Sequence, residues 1–132
     1  SSQSRGLGDV YKRQKVGGFD ENIFLYHEDD DLSLRLKNTV GPLMYCPESN
    51  VIHEGGNSSL RNSKTAMLKG FHMGKSRVYT MKKYKINNYK VKCLLFAIIQ
   101  LMSIEMLFSK RKRAKYLAFF RGVKEELKED KV

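Results

Sequence analysis

The sequence predicts an α/β fold, mostly helical with a few short strands, on three observations. Apolar residues recur at helical spacing through much of residues 60–132, two short runs between residues 43 and 53 read as strands around a proline turn, and Gly-Gly and Gly-Pro pairs punctuate the chain. With 132 residues, 41% hydrophobic and 30% charged, there is chain enough for one domain and not for a second full one. The same composition excludes collagenous and wholly disordered classes. Cys46 and Cys93 are too few and too far apart for a disulfide framework or a four-thiolate metal site, which makes a reducing compartment the default.

Residues 1–14 have no apolar periodicity, signal-peptide core or helix cap, and read as a disordered tail. Asp9-Val10-Tyr11-Lys12-Arg13-Gln14 matches at all six positions the in-frame translation of a transposase-adapter end used in sequencing libraries, GAT GTG TAT AAG AGA CAG. This stretch is therefore expected to be non-native, with the native chain starting near Lys15, mid-protein.

From Lys15 to Glu28 runs a loop hinged at Gly17-Gly18, in which Ile23, Phe24, Leu25 and Tyr26 form a short apolar run. A helix follows. Glu28, Asp29, Asp30 and Asp31 crowd its first turn, where the helix dipole favours acids, Leu32 and Leu36 share one face, and Gly41-Pro42 stops it. Leu43–Cys46 and Asn50–His53 are the strand candidates, separated by the Pro47-Glu48-Ser49 turn. Ser58 or Ser59 can cap a long basic helix whose face is Met67, Phe71, Gly74, Val78 and Met81, and Asn87-Asn88 breaks it. Val91–Phe108 then reads as one wide-faced amphipathic helix, polar only at Lys92, Gln100, Ser103 and Glu105, with Glu105 off the polar arc. After the Lys110-Arg111-Lys112-Arg113 run, a last helix carries Tyr116, Phe120, Val123 and Leu127 on one face.

The net charge of +11 is unevenly spread. Residues 1–60 hold 6 Lys/Arg against 9 Asp/Glu, residues 61–122 hold 16 against Glu105 alone, and residues 123–132 hold 3 against 4. A basic half of this kind faces a polyanion or an anionic membrane. Spanning a bilayer needs about 20 apolar residues, and Val91–Phe108 is interrupted four times. It reads as a helix lying in an anionic interface, or as a core helix packed on another domain. Nucleic acid is the rival partner, with Tyr79, Tyr84, Tyr89 and Tyr116 among the bases, so the alternative function is a small basic nucleic-acid-binding protein. No RNA- or DNA-binding motif is present and the apolar faces are wider than such a module needs, so no nucleic acid is expected.

Four carboxylates in one turn are either a solvated helix start or a chemical site. Held beside the apolar Phe24-Leu25-Tyr26 wall, one of them could act as general base toward a hydroxyl, since desolvation raises basicity. His53, next to Glu54 and Gly55-Gly56, is either structural or a ligand to a divalent metal or a phosphate.

Val16-Gly17-Gly18-Phe19-Asp20-Glu21, then Phe24-Leu25-Tyr26, Glu28-Asp29-Asp30-Asp31-Leu32-Ser33-Leu34-Arg35-Leu36, Pro47, and Val51-Ile52-His53 with Gly55, Gly56 and Ser58 resemble the acceptor-side half of family 2 glycosyltransferases, most of all bacterial rhamnosyltransferase-like members. The resemblance covers residues 16–59; the basic half shares only general character. It implies an α/β fold in which residues 15–59 are the acceptor-side, catalytic part of a truncated GT-A, Rossmann-like domain, and residues 60–132 a basic helical region at a membrane surface. The implied function is inverting transfer of a sugar from a nucleotide-sugar donor to a cell-surface polysaccharide or lipid-linked acceptor, at the cytoplasmic face of the bacterial inner membrane. By the same resemblance Asp29 is the base on the acceptor hydroxyl with Glu28 beside it, Asp31 positions the acceptor or is the next candidate base, Gly17, Gly18, Phe19, Asp20 and Glu21 contribute to substrate binding, and His53 lies near the diphosphate and a divalent metal, Mg or Mn. The nucleotide half, with the main metal-binding acids, is expected upstream of Lys15, so the chain by itself is expected to be inactive. Asn38-Thr39-Val40-Gly41-Pro42 departs from the basic, glycine-turned sequence usual after this helix.

Overall fold

The structure is a computed structural model that describes residues 10–45, 47, 48, 50 and 61–129. Residues 10–15 form a short helical segment, α1, which takes in part of the adapter-like sequence. The remaining elements are α2 (Glu28–Thr39), α3 (Ser63–Lys83), α4 (Tyr89–Leu101), α5 (Glu105–Phe108) and α6 (Lys110–Glu129).

The α/β expectation is overturned: among the described residues there is no strand, and the fold is all-α. Residues 43–45 are irregular, and Leu43, Met44 and Tyr45 are 58%, 88% and 89% exposed. A strand exists only through its ladder partner, and these residues face solvent with none among the described residues. The described residues thus show an all-α arrangement and not a GT-A, Rossmann-like one. Cys46, Ser49, Val51–His53, Gly55, Gly56, Ser58 and Ser59 lie outside the described residues.

α2 has the predicted limits. For α3 the cap is Asn62, whose side chain accepts from the Thr65 backbone N–H at 2.7 Å. The predicted face holds at Gly74 and Val78, which are buried, and at Met81, which packs on the core, but its first buried position is Gly70, and Met67 is 44% exposed. The single helix expected over Val91–Phe108 is broken at residues 102–104. The break lets Glu105 reach α6, where it accepts from Lys112 Nζ and Tyr116 OH, which accounts for the one acid that fitted no polar arc.

α3 and α6 run in the same direction. A Cβ on Gly70 would lie 2.2 Å from the Lys115 carbonyl oxygen, one on Gly74 2.3 Å from that of Phe119, and one on Gly122 2.0 Å from that of Phe71. Backbone thus packs on backbone, and only glycine fits at these points. α4 returns the chain antiparallel to α3, with Cys93 Sγ 3.4 Å from Met81 Sδ and the Arg77 guanidinium stacked 4.1 Å above Phe96. Val78, Cys93, Ala97, Phe119 and Val123 make the core where α3, α4 and α6 meet.

Candidate functional site

The glycine loop and the acidic turn meet on one face of α3. Gly17 and Gly18 take φ of 79° and 72°, a double reversal that glycine makes without a steric penalty. The loop wraps Arg35, one turn along α2 from Asp31. Arg35 Nη1 donates to the Val16 carbonyl at 2.6 Å, Nη2 to the Gly18 carbonyl at 2.7 Å, and Nε to Asp31 Oδ2 at 2.8 Å.

Asp31 is fully buried. Its Oδ1 accepts from Lys83 Nζ at 2.6 Å and from Tyr84 OH at 2.8 Å. The same Lys83 ammonium donates to Asp20 Oδ2 at 2.7 Å, where Tyr79 OH also donates at 3.0 Å. Asp20 Oδ1 in turn accepts from the Asn22 backbone N–H and side-chain amide at 3.0 and 2.9 Å. One lysine from the end of α3 therefore ties the loop acid to the helix acid.

Burial opposes the charge on both acids, and the donors outweigh it. Lys83, Asn22 and Tyr79 hold the Asp20 carboxyl far below the ordinary carboxylate range, and Lys83, Tyr84 and Arg35 hold that of Asp31 down as well. Lys83, despite its own desolvation, is raised by the two carboxylates it serves. Tyr79 and Tyr84 are pushed up by burial and by the acids they donate to. All these directions keep the network charged, and its tyrosines protonated, at neutral pH.

The start of α2 is set by an unusual pair. Tyr26 and His27 have φ of 63° and 67°, left-handed conformations that cost non-glycine residues about 1–3 kcal/mol each. Ser76 on α3 holds the preceding residue by donating to the Leu25 carbonyl at 2.8 Å. Beyond this reversal Asp29 and Asp30 are exposed, and His27 Nδ1 lies 3.5 Å from Asp30 Oδ2. Glu28 is half-buried, with Oε2 shielded from solvent and unpartnered among the described residues.

Of the residues the sequence singled out, Gly17, Gly18, Asp20 and Asp31 are brought together by this network. Phe19 and Glu21 are exposed beside it, Asp29 and Glu28 sit at the helix start, and His53 lies outside the described residues. Among the described residues no three His, Cys, Asp or Glu side chains are placed to hold a metal ion. The buried carboxylates already meet Lys83 and Arg35, so this donor set does not fit a divalent cation.

Sequence reasoning missed Lys83 and Arg35, and it weighed Tyr79 and Tyr84 only under the rival nucleic-acid reading, whereas they donate to Asp20 and Asp31. The signal was the Tyr79/Lys83 spacing, which puts both on one face of α3. A neighbouring cleft of about 350 Å³ is lined by Asn22, Phe24, His72 and Tyr79 among others, with the Phe24 and His72 rings 4.5 Å apart. No family model, curated protein or solved structure matches the chain.

Proposed function

We propose that the chain is the acceptor-side part of an inverting sugar transferase working at an anionic membrane surface. The observation that carries this reading is the Lys83 bridge, which makes one site of the glycine loop and the acidic turn, two of the motifs on which the resemblance rests. With both Asp31 oxygens occupied and buried, the work of a base falls to Asp29, exposed two residues earlier in the same turn of α2 and carried by the anchored helix. Asp29 takes the acceptor hydroxyl proton as that oxygen bonds to the anomeric carbon of the donor. The bond to the nucleotide diphosphate breaks with its electron pair leaving on the diphosphate, and the anomeric centre inverts. The aromatic wall and hydrogen-bonding rim of the cleft at Phe24, His72 and Asn22 suit a sugar ring.

The membrane part of the reading is supported by the outer face of α4. Val91, Leu95, Ile98, Ile99 and Met102 share that face at 64%, 54%, 44%, 58% and 80% exposure, and Lys92, Lys110 and Arg111 flank it in sequence. Among the described residues no helix is long and apolar enough to cross a membrane. Such a stripe suits a helix lying in an interface.

The test is the uninterrupted reading frame, expressed as protein and assayed for sugar transfer. Asp29→Asn keeps the shape and removes the basicity, so turnover falls by about 10²-fold or more with donor binding little changed. Unchanged turnover in that variant would refute the assignment.

A further inference from the structure

A cavity of about 360 Å³ lies between the first turns of α3 and α6, with Tyr26, which precedes the acidic turn, on its wall. Because α3 and α6 are parallel, both helices direct their N-terminal ends, where backbone N–H groups carry partial positive charge, at this one space. Acids are the residues favoured in such turns. Neither helix has one: α3 and α6 both lack any acidic residue in the first turn. Instead Arg61, Lys69, Arg111, Lys112 and Lys115 line the cavity, and no carboxylate does. Glu105, at the cavity's edge, is paired with Lys112, accepts from Tyr116 and attracts Lys115, whereas Arg61 and Arg111 make no ion pair among the described residues. The close contact of Gly70 with the Lys115 backbone fixes this arrangement, since Lys69 and Lys115 cannot draw apart without separating the helices.

Like charges gathered at two positive helix ends, in a cavity with no acid, break a local rule of helix design that most sequences obey, and such breaks mark functional positions. We infer that this cavity binds a diphosphate group. Five cations from three segments, two tyrosine rings and two helix N-termini match a compact ligand with several negative charges. A pocket of this size, walled by two helix ends, fits a terminal group better than the run of a polymer backbone. The inference is independent of sugar transfer, since it concerns binding alone. The diphosphate could belong to a free nucleotide or to a prenyl lipid headgroup.

The experiment titrates the purified 132-residue chain with inorganic pyrophosphate, following heat and melting temperature. Saturable binding is expected, weakening as salt rises. The double variant Arg111→Gln/Lys115→Gln should bind about tenfold more weakly or worse, while Lys37→Gln/Lys128→Gln, of equal charge change elsewhere, should bind as the parent does. The pocket variant should also melt higher than the parent without ligand, because two cations have left positive helix ends, and should lose the pyrophosphate-induced rise. Uridine diphosphate and farnesyl diphosphate are the two further probes. Tighter binding of the first assigns a free nucleotide, tighter binding of the second a lipid headgroup, and equal binding the diphosphate group alone. No saturable binding, or equal binding in the pocket variant and the parent, would overturn the inference. A single-stranded oligonucleotide that binds more tightly than pyrophosphate and depends on the same residues would replace it with a polymer backbone.

Discussion

Two parts of the molecule dock on α3 by opposite physics. α6 lies against it through Gly70, Gly74 and Gly122, where the absence of a side chain lets backbones touch, and Val78, Phe119 and Val123 fill the space beside them. The glycine loop and α2 bring only Ile23 and Leu32 as buried apolar side chains and are held by Lys83 between Asp20 and Asp31. The first interface rests on packing, with a single ion-pair cluster of Lys75 with Glu126 and Glu129 at its edge among the described residues, and is intolerant of added volume. The second depends on three ionised groups and has little apolar burial behind it. The helix that begins with the four acids is thus attached by a polar latch to the packed α3–α6 scaffold.

The largest expected effect is at the glycine contact. Gly122→Ala would place a methyl 2.0 Å from the Phe71 carbonyl oxygen, so α3 and α6 must part, at about 3 kcal/mol or more, read as a fall in the urea midpoint. Lys83→Met comes next. It keeps the length of the side chain and removes the charge, leaving Asp31 buried with Arg35 and Tyr84 alone and Asp20 without its cation. Removing one partner of a buried pair costs about 3–5 kcal/mol; here about 2–3 kcal/mol is expected, because Lys83 itself is 27% exposed. Its signature is loss of order in α2 and the loop while α3, α4 and α6 stay folded, seen as selective loss of amide protection.

Acid should separate the interfaces in the same way. Asp20 and Asp31 have lowered carboxyl pKa values in the fold, so their contribution is fully present above the ordinary value near 4, and is lost as pH falls through the lowered ones. Lys83, Tyr79 and Tyr84 have raised values, so their contribution holds below about pH 10 and is lost as pH rises further. A denaturation series against pH should show an acid limb that Lys83→Met flattens. The smallest effect is that of Asp29→Asn, about 0.5 kcal/mol of helix-dipole stabilisation, against an activity loss of about 10²-fold.

Local features were legible in the sequence. The four acids and Gly41-Pro42 marked both ends of α2, and the period of Val78, Phe120 and Val123 marked core faces, because each signal lies within one or two helical turns. The latch was not legible: Lys83 meets Asp31 across 52 residues and Asp20 across 63, and one lysine in a run of bases carries no mark of its partner. The parallel register of α3 and α6 was hidden for the same reason, although Gly74 was already on the predicted face. The strand at residues 43–45 failed because a β-like composition describes a surface that fits a sheet, not the sheet itself. At the candidate site, the glycine loop and the acids were visible as motifs. Which acid is buried and which is free was decided by Arg35, Lys83 and Tyr84, whose positions only the fold supplies.

The central claim is that Lys83 latches α2 and the glycine loop to a scaffold that does not need them. The most direct measurement is amide hydrogen exchange, resolved by residue, at about pH 6 and about pH 2.5 after correction for intrinsic rates. The expected result is that Leu32–Leu36 and Ile23 lose part of their protection at the lower pH, where the lowered acids have given up part of their contribution, and lose more of it in Lys83→Met at the higher pH, while Val78, Ala97 and Phe119 keep theirs. Loss of protection at both sets of amides together, or at neither, would contradict it.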